Sequence, residues 1–374
     1  MRSVPVNTPD LREDDRRSVL ECLESGWISS EGPQVARFES LFAEASGRAH
    51  GVAVSSGTAA LDVVVRALGL GPGDEVLVPS LTIISCGQAV TAAGATLVPV
   101  DCDPSDWNAT VKNFRARATP KTRALMLVHL YGLCADLDPI LDWARESRLL
   151  VIEDASQALG LDYRGRPCGS FGDVSVFSLY ANKLVTTGEG GMILTDSPQV
   201  ATECRSLRNL CFQPERRFWH EELGWNYRMT AMQAALGIPQ LRRLPELAGR
   251  KRTIGRTYHA SLTRLPHLRM APVTTPVAEN VYWVFGLLVA EDAPFDREEI
   301  LAALAARGVG TRTFFHGLHQ QPALQNTGLL DAAPLQVTES LSERGFYLPS
   351  GLGLDPEDQE YVIRSVVEFV ESRS

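Results

Sequence analysis

The sequence predicts an α/β protein with a mostly parallel sheet covered by helices, followed by a smaller C-terminal α/β domain. Three observations carry this. Apolar runs of about five residues alternate with helical patterns from Val52 to Thr195, as expected of strands buried on both faces by crossover helices. A chain of 374 residues is too long for one small core, so two domains follow. The texture changes near residue 250, which divides the chain into 1–250, an N-terminal arm with the large domain, and 251–374, the small domain.

Taken in order, residues 10–25 read as an amphipathic helix ending near Ser25-Gly26, the loop GWISSEGPQV follows, and residues 35–46 make a second helix. Val52 to Val54 is a short buried strand, Ser55 to Thr58 a turn of small residues, and Ala59 to Leu68 a helix whose N-terminus points back at that turn. EVLVP is a strand, Ser85 to Ala93 a helix, and ATLVPVDCD, ALMLVHLYG and LLVIEDAS are further strands, with LDPILDWARES a helix between the last two. The stretch Val174 to Thr195, VSVFSLYANKLVTTGEGGMILT, runs strand, polar loop, strand. Helices follow at Ser197 to Leu210, 229–244 and 246–265; VYWVFGLLVA is then a strand, REEILAALAARG a helix and DPEDQEYVIRSVVEFVES a closing helix.

Composition removes several function classes. The formal net charge is -9 and no basic run is interleaved with aromatics, which excludes a nucleic-acid binder. The N-terminal twenty residues have no apolar core and runs such as ALMLV are too short for a bilayer, so no secretory signal or membrane span is expected and the location expected is cytoplasmic. Seven scattered cysteines without a CxxC pair read as reduced thiols, neither a disulfide frame nor a zinc site.

Ligands of a parallel sheet belong at the carboxyl ends of its strands, where Ser55 to Thr58, Ser80 to Ile84, Asp154 and Lys183 all lie. Lys183 sits among Gly188, Gly190 and Gly191, twenty-nine residues after Asp154; a lone lysine with a strand-end acid suits a cofactor carried as a Schiff base. Asp154 closes an otherwise apolar strand, where a carboxylate needs a cationic partner such as a pyridinium N–H, or else caps the next turn. Gln157 can reach the same ligand. Ser-Ser-Gly-Thr at 55–58 either cradles a phosphate on backbone N–H groups or simply caps a helix; Ser178 can donate to that phosphate. His316 and His319 lack a third metal ligand and read as polar lining, Cys86 and Cys211 as small apolar side chains, and Trp219 and Trp225 as aromatic packing between subunits.

These motifs, with GWISSEGP, SSGTAAL, GPGDEVLVPS, HLYG, VIEDASQA, FSLYANKLVTTGEGGM, RSLRNLCFQPERRF, LGWNYRMT and YLPSGL, give the chain a close resemblance to the pyridoxal 5′-phosphate (PLP) dependent sugar-nucleotide aminotransferases of the DegT/StrS type, and within them to the perosamine synthase branch. The resemblance runs over nearly the whole length. It implies an aspartate-aminotransferase-like fold (fold type I). It also implies that Lys183 holds the cofactor and shuttles the proton, Asp154 keeps the pyridine nitrogen protonated, and Gln157 meets the ring hydroxyl. By the same resemblance Gly57, Thr58 and Ser178 bind the phosphate, Asn226 reaches it from a neighbouring subunit, and the assembly is a homodimer with shared sites. Where many members place a stacking aromatic, this chain has Ile83, which forgoes a stacking contribution of roughly 1 kcal/mol. Relatives that dehydrate the sugar carry histidine at the lysine position, so Lys183 favours transamination. The implied partners are L-glutamate and a nucleotide-linked 4-keto-6-deoxyhexose, with GDP-4-keto-6-deoxymannose and GDP-perosamine as expected substrate and product; other keto sugars or cyclitols, or the dehydratase reaction, are the alternatives. Substrate contacts are expected from Trp27, Ser29, Arg228, Arg312 and His316, with Arg208 a further candidate for carboxylate or diphosphate, and no metal is expected.

Overall fold

The computed structural model describes residues 2–213 and 215–373. Two helices, α1 (Glu13–Ser25) and α2 (Pro33–Ala45), precede the first strand, β1 (His50–Val54). Strand and helix then alternate through α3 (Gly57–Ala67), β2 (Glu75–Pro79), α4 (Ile84–Ala92), β3 (Thr96–Val100), α5 (Val111–Arg117), β4 (Thr122–Val128), α6 (Leu137–Glu146) and β5 (Leu150–Asp154). A two-residue pair, β6 (Asp162–Tyr163) and β7 (Arg166–Pro167), leads to β8 (Val174–Ser178), β9 (Gly191–Thr195) and α7 (Pro198–Leu207). Each helix start predicted from sequence agrees with the structure to within about three residues, the uncertainty expected of helix ends.

Seven of these strands form one sheet in the order β1-β9-β8-β5-β4-β2-β3. The pairs β2–β3, β2–β4, β4–β5 and β5–β8 are parallel, and β9 alone runs antiparallel to both its neighbours, β8 and β1. The connection accords with this: β8 and β9 follow one another through the loop 179–190 with no crossover helix, a direct link of the kind antiparallel neighbours allow. Valine, isoleucine and leucine fill both faces, and the strands are buried almost throughout. One face packs against α2 and α6 through Phe38, Phe42, Ile140 and Phe177; the other packs against α3, α4 and α7 through Val63, Val64, Val90 and Leu207.

The remaining elements are α8 (Ala231–Arg242), α9 (Leu244–Leu262), β10 (Leu268–Met270), β11 (Phe285–Val289), α10 (Arg297–Ala306), β12 (Arg312–Thr313), α11 (Pro322–Gln325), α12 (Gln336–Arg344), β13 (Gly345–Leu348) and α13 (Pro356–Glu371). They carry a second sheet, β10-β11-β13-β12, paired antiparallel throughout. Residue 250 falls inside the continuous helix α9. The second core gathers Tyr258, Phe285, Leu287, Ile300, Phe346, Val362 and Phe369, and it also takes in Val4 from the chain start. Val4 is held by backbone bonds to Gly308 and Gly310, both 2.8 Å. All seven cysteines are buried and free of disulfides, and no helix among the described residues is long and apolar enough to cross a membrane.

Candidate active site

The carboxyl ends of β1, β2, β5 and β8 open on one cavity of about 350 Å3, lined by Gly57, Thr58, Ile83, Asp154, Gln157, Ser178 and Lys183 among others. Seven of the residues singled out in the sequence thus meet in one place. They arrive on different strands, and the sheet order is what collects them.

One end of the cavity is built to hold an anion. Ser56 caps α3, its hydroxyl accepting from the Ala59 amide at 3.1 Å, which leaves the amides of Gly57 and Thr58 at the helix start without an intrahelical acceptor. Those amides and the helix dipole favour negative charge. The Thr58 and Ser85 hydroxyls lie 2.8 Å apart, and Ser178 closes the side: a Cβ added to Gly57 would stand 2.8 Å from the Ser178 Cβ. Of the glycines after Lys183, Gly191 approaches the turn before α3, where a side chain would overlap the Ser56 carbonyl; Gly190 packs against Thr187 and Met229, and Gly188 takes a positive φ of 80°.

In the middle lies Asp154, 2% exposed. Its carboxylate accepts from the Ser156 amide at 3.0 Å and the Cys86 thiol at 3.2 Å. Burial, then the neighbouring carboxylate, push the Cys86 thiol well up, so it remains a neutral donor. Among the described residues Asp154 makes no ion pair of hydrogen-bond length. A buried carboxylate with two neutral donors is expensive, and a cationic ring N–H in the cavity meets that need. Gln157 accepts from the Tyr131 amide at 2.8 Å, which commits its carbonyl and leaves its nitrogen as the remaining donor. Beneath this floor, His129 and Glu153 form a fully buried pair at 2.8 Å. Glu153 also accepts from the amides of Gly169 (2.5 Å) and Phe171 (2.8 Å). The grouping of His129, Glu153 and Cys168 therefore has its carboxylate oxygens already engaged.

Lys183 enters from the β8–β9 loop, its amide donating to the Tyr180 carbonyl at 2.9 Å. The residue is half-buried, but its amine is enclosed: burial pushes it down to about 7, against the opposing pull of Asp154 and Cys86. The amine nitrogen sits 3.6 Å from the centre of the Trp283 ring. Trp283, Phe315 and Tyr347 complete the cavity wall from the second half of the chain. Sequence reasoning singled out neither Trp283, placed in the strand VYWVFGLLVA, nor Tyr347, and reached Phe315 only as part of the stretch 311–320. The only signal was the aromatic pair Tyr282-Trp283 at the start of that strand. The residues present therefore fit PLP: an anion cradle, the buried acid Asp154, an amide donor and an amine of lowered pKa surround one space of suitable size.

Other predicted residues lie elsewhere in this chain. Asn226 is exposed, bridged to Asn209 through the backbone, and does not line the cavity. Arg228, hydrogen-bonded to Asn209 at 2.6 Å, lines a separate polar cavity of about 250 Å3 with Arg205, Arg208, Ser30 and Glu31; Arg208 is paired there with Glu39 at 2.5 Å. Trp27 and Ser29 are exposed on the loop after α1, Arg312 is exposed on β12 opposite Tyr347, and His316 is exposed beyond it. His319 is no cavity lining: it is buried and clasped between Ser80 at 2.8 Å and Glu339 at 3.0 Å. Trp225 stacks on Tyr227 within the chain, centroids 5.4 Å apart, while Trp219 is exposed.

Comparison with known proteins accords with this geometry. The chain is 42% identical over 364 residues, 97% of each sequence, to a GDP-perosamine synthase of Caulobacter vibrioides. Its fold matches the crystal structure of the aminotransferase TlmJ from Streptoalloteichus hindustanus with a TM-score of 0.92 at 31% identity, covering 99% of both chains. It matches DesV of S. venezuelae, solved in complex with a ketimine intermediate, with a TM-score of 0.90 at 35% identity and the same coverage. The model of one family, DegT/DnrJ/EryC1/StrS aminotransferase, spans residues 9–367, and the chain belongs to that family.

Proposed function

We propose that this protein is a PLP-dependent aminotransferase that converts GDP-4-keto-6-deoxymannose to GDP-perosamine with L-glutamate as amino donor. The observation that carries the reaction type is the amine of Lys183, of lowered pKa, in one cavity with the unpaired carboxylate of Asp154. The sugar follows from full-length similarity to the perosamine synthase.

In this reading Lys183 holds the cofactor through its amine, Asp154 takes the ring nitrogen and Gln157 the ring hydroxyl. Gly57, Thr58 and Ser178 hold the phosphate, and Ile83, 41% exposed at the start of α4, covers one ring face. Bound PLP supplies the electron sink that lets an amino group move from glutamate to a ketone. Lys183 serves the proton transfers at its Nζ. An amine titrating near 7 is available in both forms at neutral pH, which suits a group that must both take and return a proton. The Asp154 carboxylate accepts from the Ser156 amide and the Cys86 thiol.

Asn226 lies outside its own chain's cavity, and in this reading it serves a second copy, making the enzyme a homodimer with shared sites. The arginine-lined cavity beside it, with Arg228, suits an anionic part of a substrate. Trp27, Ser29, Arg312 and His316 remain candidates for sugar and nucleotide contacts from the exposed loops. The location proposed is cytoplasmic.

The test is a panel of nucleotide-linked keto sugars with glutamate, read by mass spectrometry. The expected result is ketone-to-amine conversion of the GDP-linked 4-keto sugar, and at least about a thousandfold loss in Lys183→Ala. Loss of water from the sugar without amino transfer, or near wild-type conversion by Lys183→Ala, would refute the assignment.

A further inference from the structure

We infer that Trp283 is the seat on which Lys183 holds its protonated amine between proton transfers, and so is a residue of the reaction as well as of the fold. The amine nitrogen stands 3.6 Å from the centre of the indole ring. An ammonium over the face of tryptophan is attracted by the ring quadrupole, most strongly where water is excluded, and the neutral amine gains nothing comparable. The contact therefore discriminates between the two forms of the lysine.

The ring is held in place from three sides. Its N–H donates to the carbonyl of Asn182 at 3.0 Å, the residue just before Lys183, so indole and lysine backbone move together. The Trp283 carbonyl accepts from Lys251 Nζ at 3.0 Å, and Lys251 also donates to the Ser350 carbonyl. Lys251 is 4% exposed and has no acidic partner among the described residues, so its two hydrogen bonds serve to fasten backbone. Tyr131 and Phe315 stack alongside the ring, at 6.2 and 6.5 Å between centroids.

The seat answers a conflict within the site. Burial drives the Lys183 amine towards its neutral form, and the groups that oppose this are Asp154 on β5 and Cys86 on α4. Glu189, Tyr180 and Tyr347 share the cavity, and Lys251 on α9 lies behind the ring. The Asp154 charge is needed at the ring nitrogen once the cofactor is bound. The indole face is a partner for the ammonium that the cofactor does not consume.

The inference rests on Lys183 being the reactive lysine, which borohydride trapping of PLP on that residue tests separately. Its own test uses the cofactor-free protein. The pH dependence of acylation of Lys183 by acetic anhydride, resolved by peptide mass spectrometry, is compared in wild type, Trp283→Phe and Trp283→Leu. The midpoint is expected to fall by about one pH unit in the leucine variant and by less in phenylalanine, which keeps an aromatic face. The Lys251 midpoint, read in the same digest, should stay unmoved and so report an intact fold. Equal Lys183 midpoints in the three proteins, or a rise in leucine, would overturn the proposal. Should the leucine variant not fold, the phenylalanine variant decides it by the same sign.

Discussion

At the scale of single residues, Lys183 and Lys251 both carry enclosed amines of lowered pKa and differ in their partners. Burial takes both Lys183 and Lys251 down to about 7. Lys183 faces an acid, a thiol and an aromatic ring in an open cavity; Lys251 spends its hydrogen on backbone carbonyls. The consequence for stability has a definite sign. Between about pH 7 and 10.5, the ordinary value for an exposed lysine, the unfolded chain carries a proton on each lysine that the folded chain lacks. The contribution of these two lysines to the stability of the cofactor-free protein therefore rises with pH across that window and is lowest below it. Lys251→Met removes one of the two contributions. Urea midpoints at pH 7 and pH 9 are expected to lie closer together in that variant than in wild type, and an unchanged gap would show that Lys251 is not buried neutral.

At the scale of elements, the site depends on the meeting of the β8–β9 loop with the turn before α3. The sequence shows three glycines after Lys183 but not what they face; the fold shows that Gly191 lies against the Ser56 carbonyl and Gly57 against Ser178. Overfilling such a contact typically costs about 1–3 kcal/mol. Gly191→Ala should lower the urea midpoint accordingly and, by pushing the amides of Gly57 and Thr58 off their positions, weaken PLP binding by at least about tenfold, since 1.4 kcal/mol is a factor of ten. Fluorescence titration with PLP measures the second effect. If affinity is unchanged while stability falls, the turn before α3 is not the phosphate cradle. The antiparallel β9 belongs to this scale too. Alternation of strands and helices pointed to parallel pairing, and it holds for β2, β3, β4, β5 and β8 of the large sheet; β9 departs from it, following β8 through the lysine loop with no helix between them.

At the scale of the whole molecule, two residues expected at the site lie away from its cavity. Asn226 and Arg228 lie outside the cavity of Lys183, and exposed apolar residues such as Leu20, Leu23, Phe218 and Leu223 remain uncovered. If two copies share their sites, inactive Lys183→Ala and inactive Asn226→Ala chains, unfolded and refolded together, should recover about a quarter of wild-type activity per chain. Half the dimers would then be mixed, each with one intact site. No recovery would place Asn226 outside the catalytic unit. The sequence by itself determined the local features: the alternation of apolar strands and helices, the strand-end positions of Asp154, Ser178 and Lys183, and the motifs that mark the family. These follow from periodicity and short-range chemistry, which a linear chain displays directly. Only the tertiary structure decided which distant residues close the site. Trp283 lies one hundred positions after Lys183, and it reaches the amine because Asn182 and Lys251 fasten it there. His319 was legible as a polar side chain, yet its place between Ser80 and Glu339 depends on how the second sheet packs on the first. Contacts between segments far apart in sequence leave no periodic trace, because what selects them is the close packing of the folded interior.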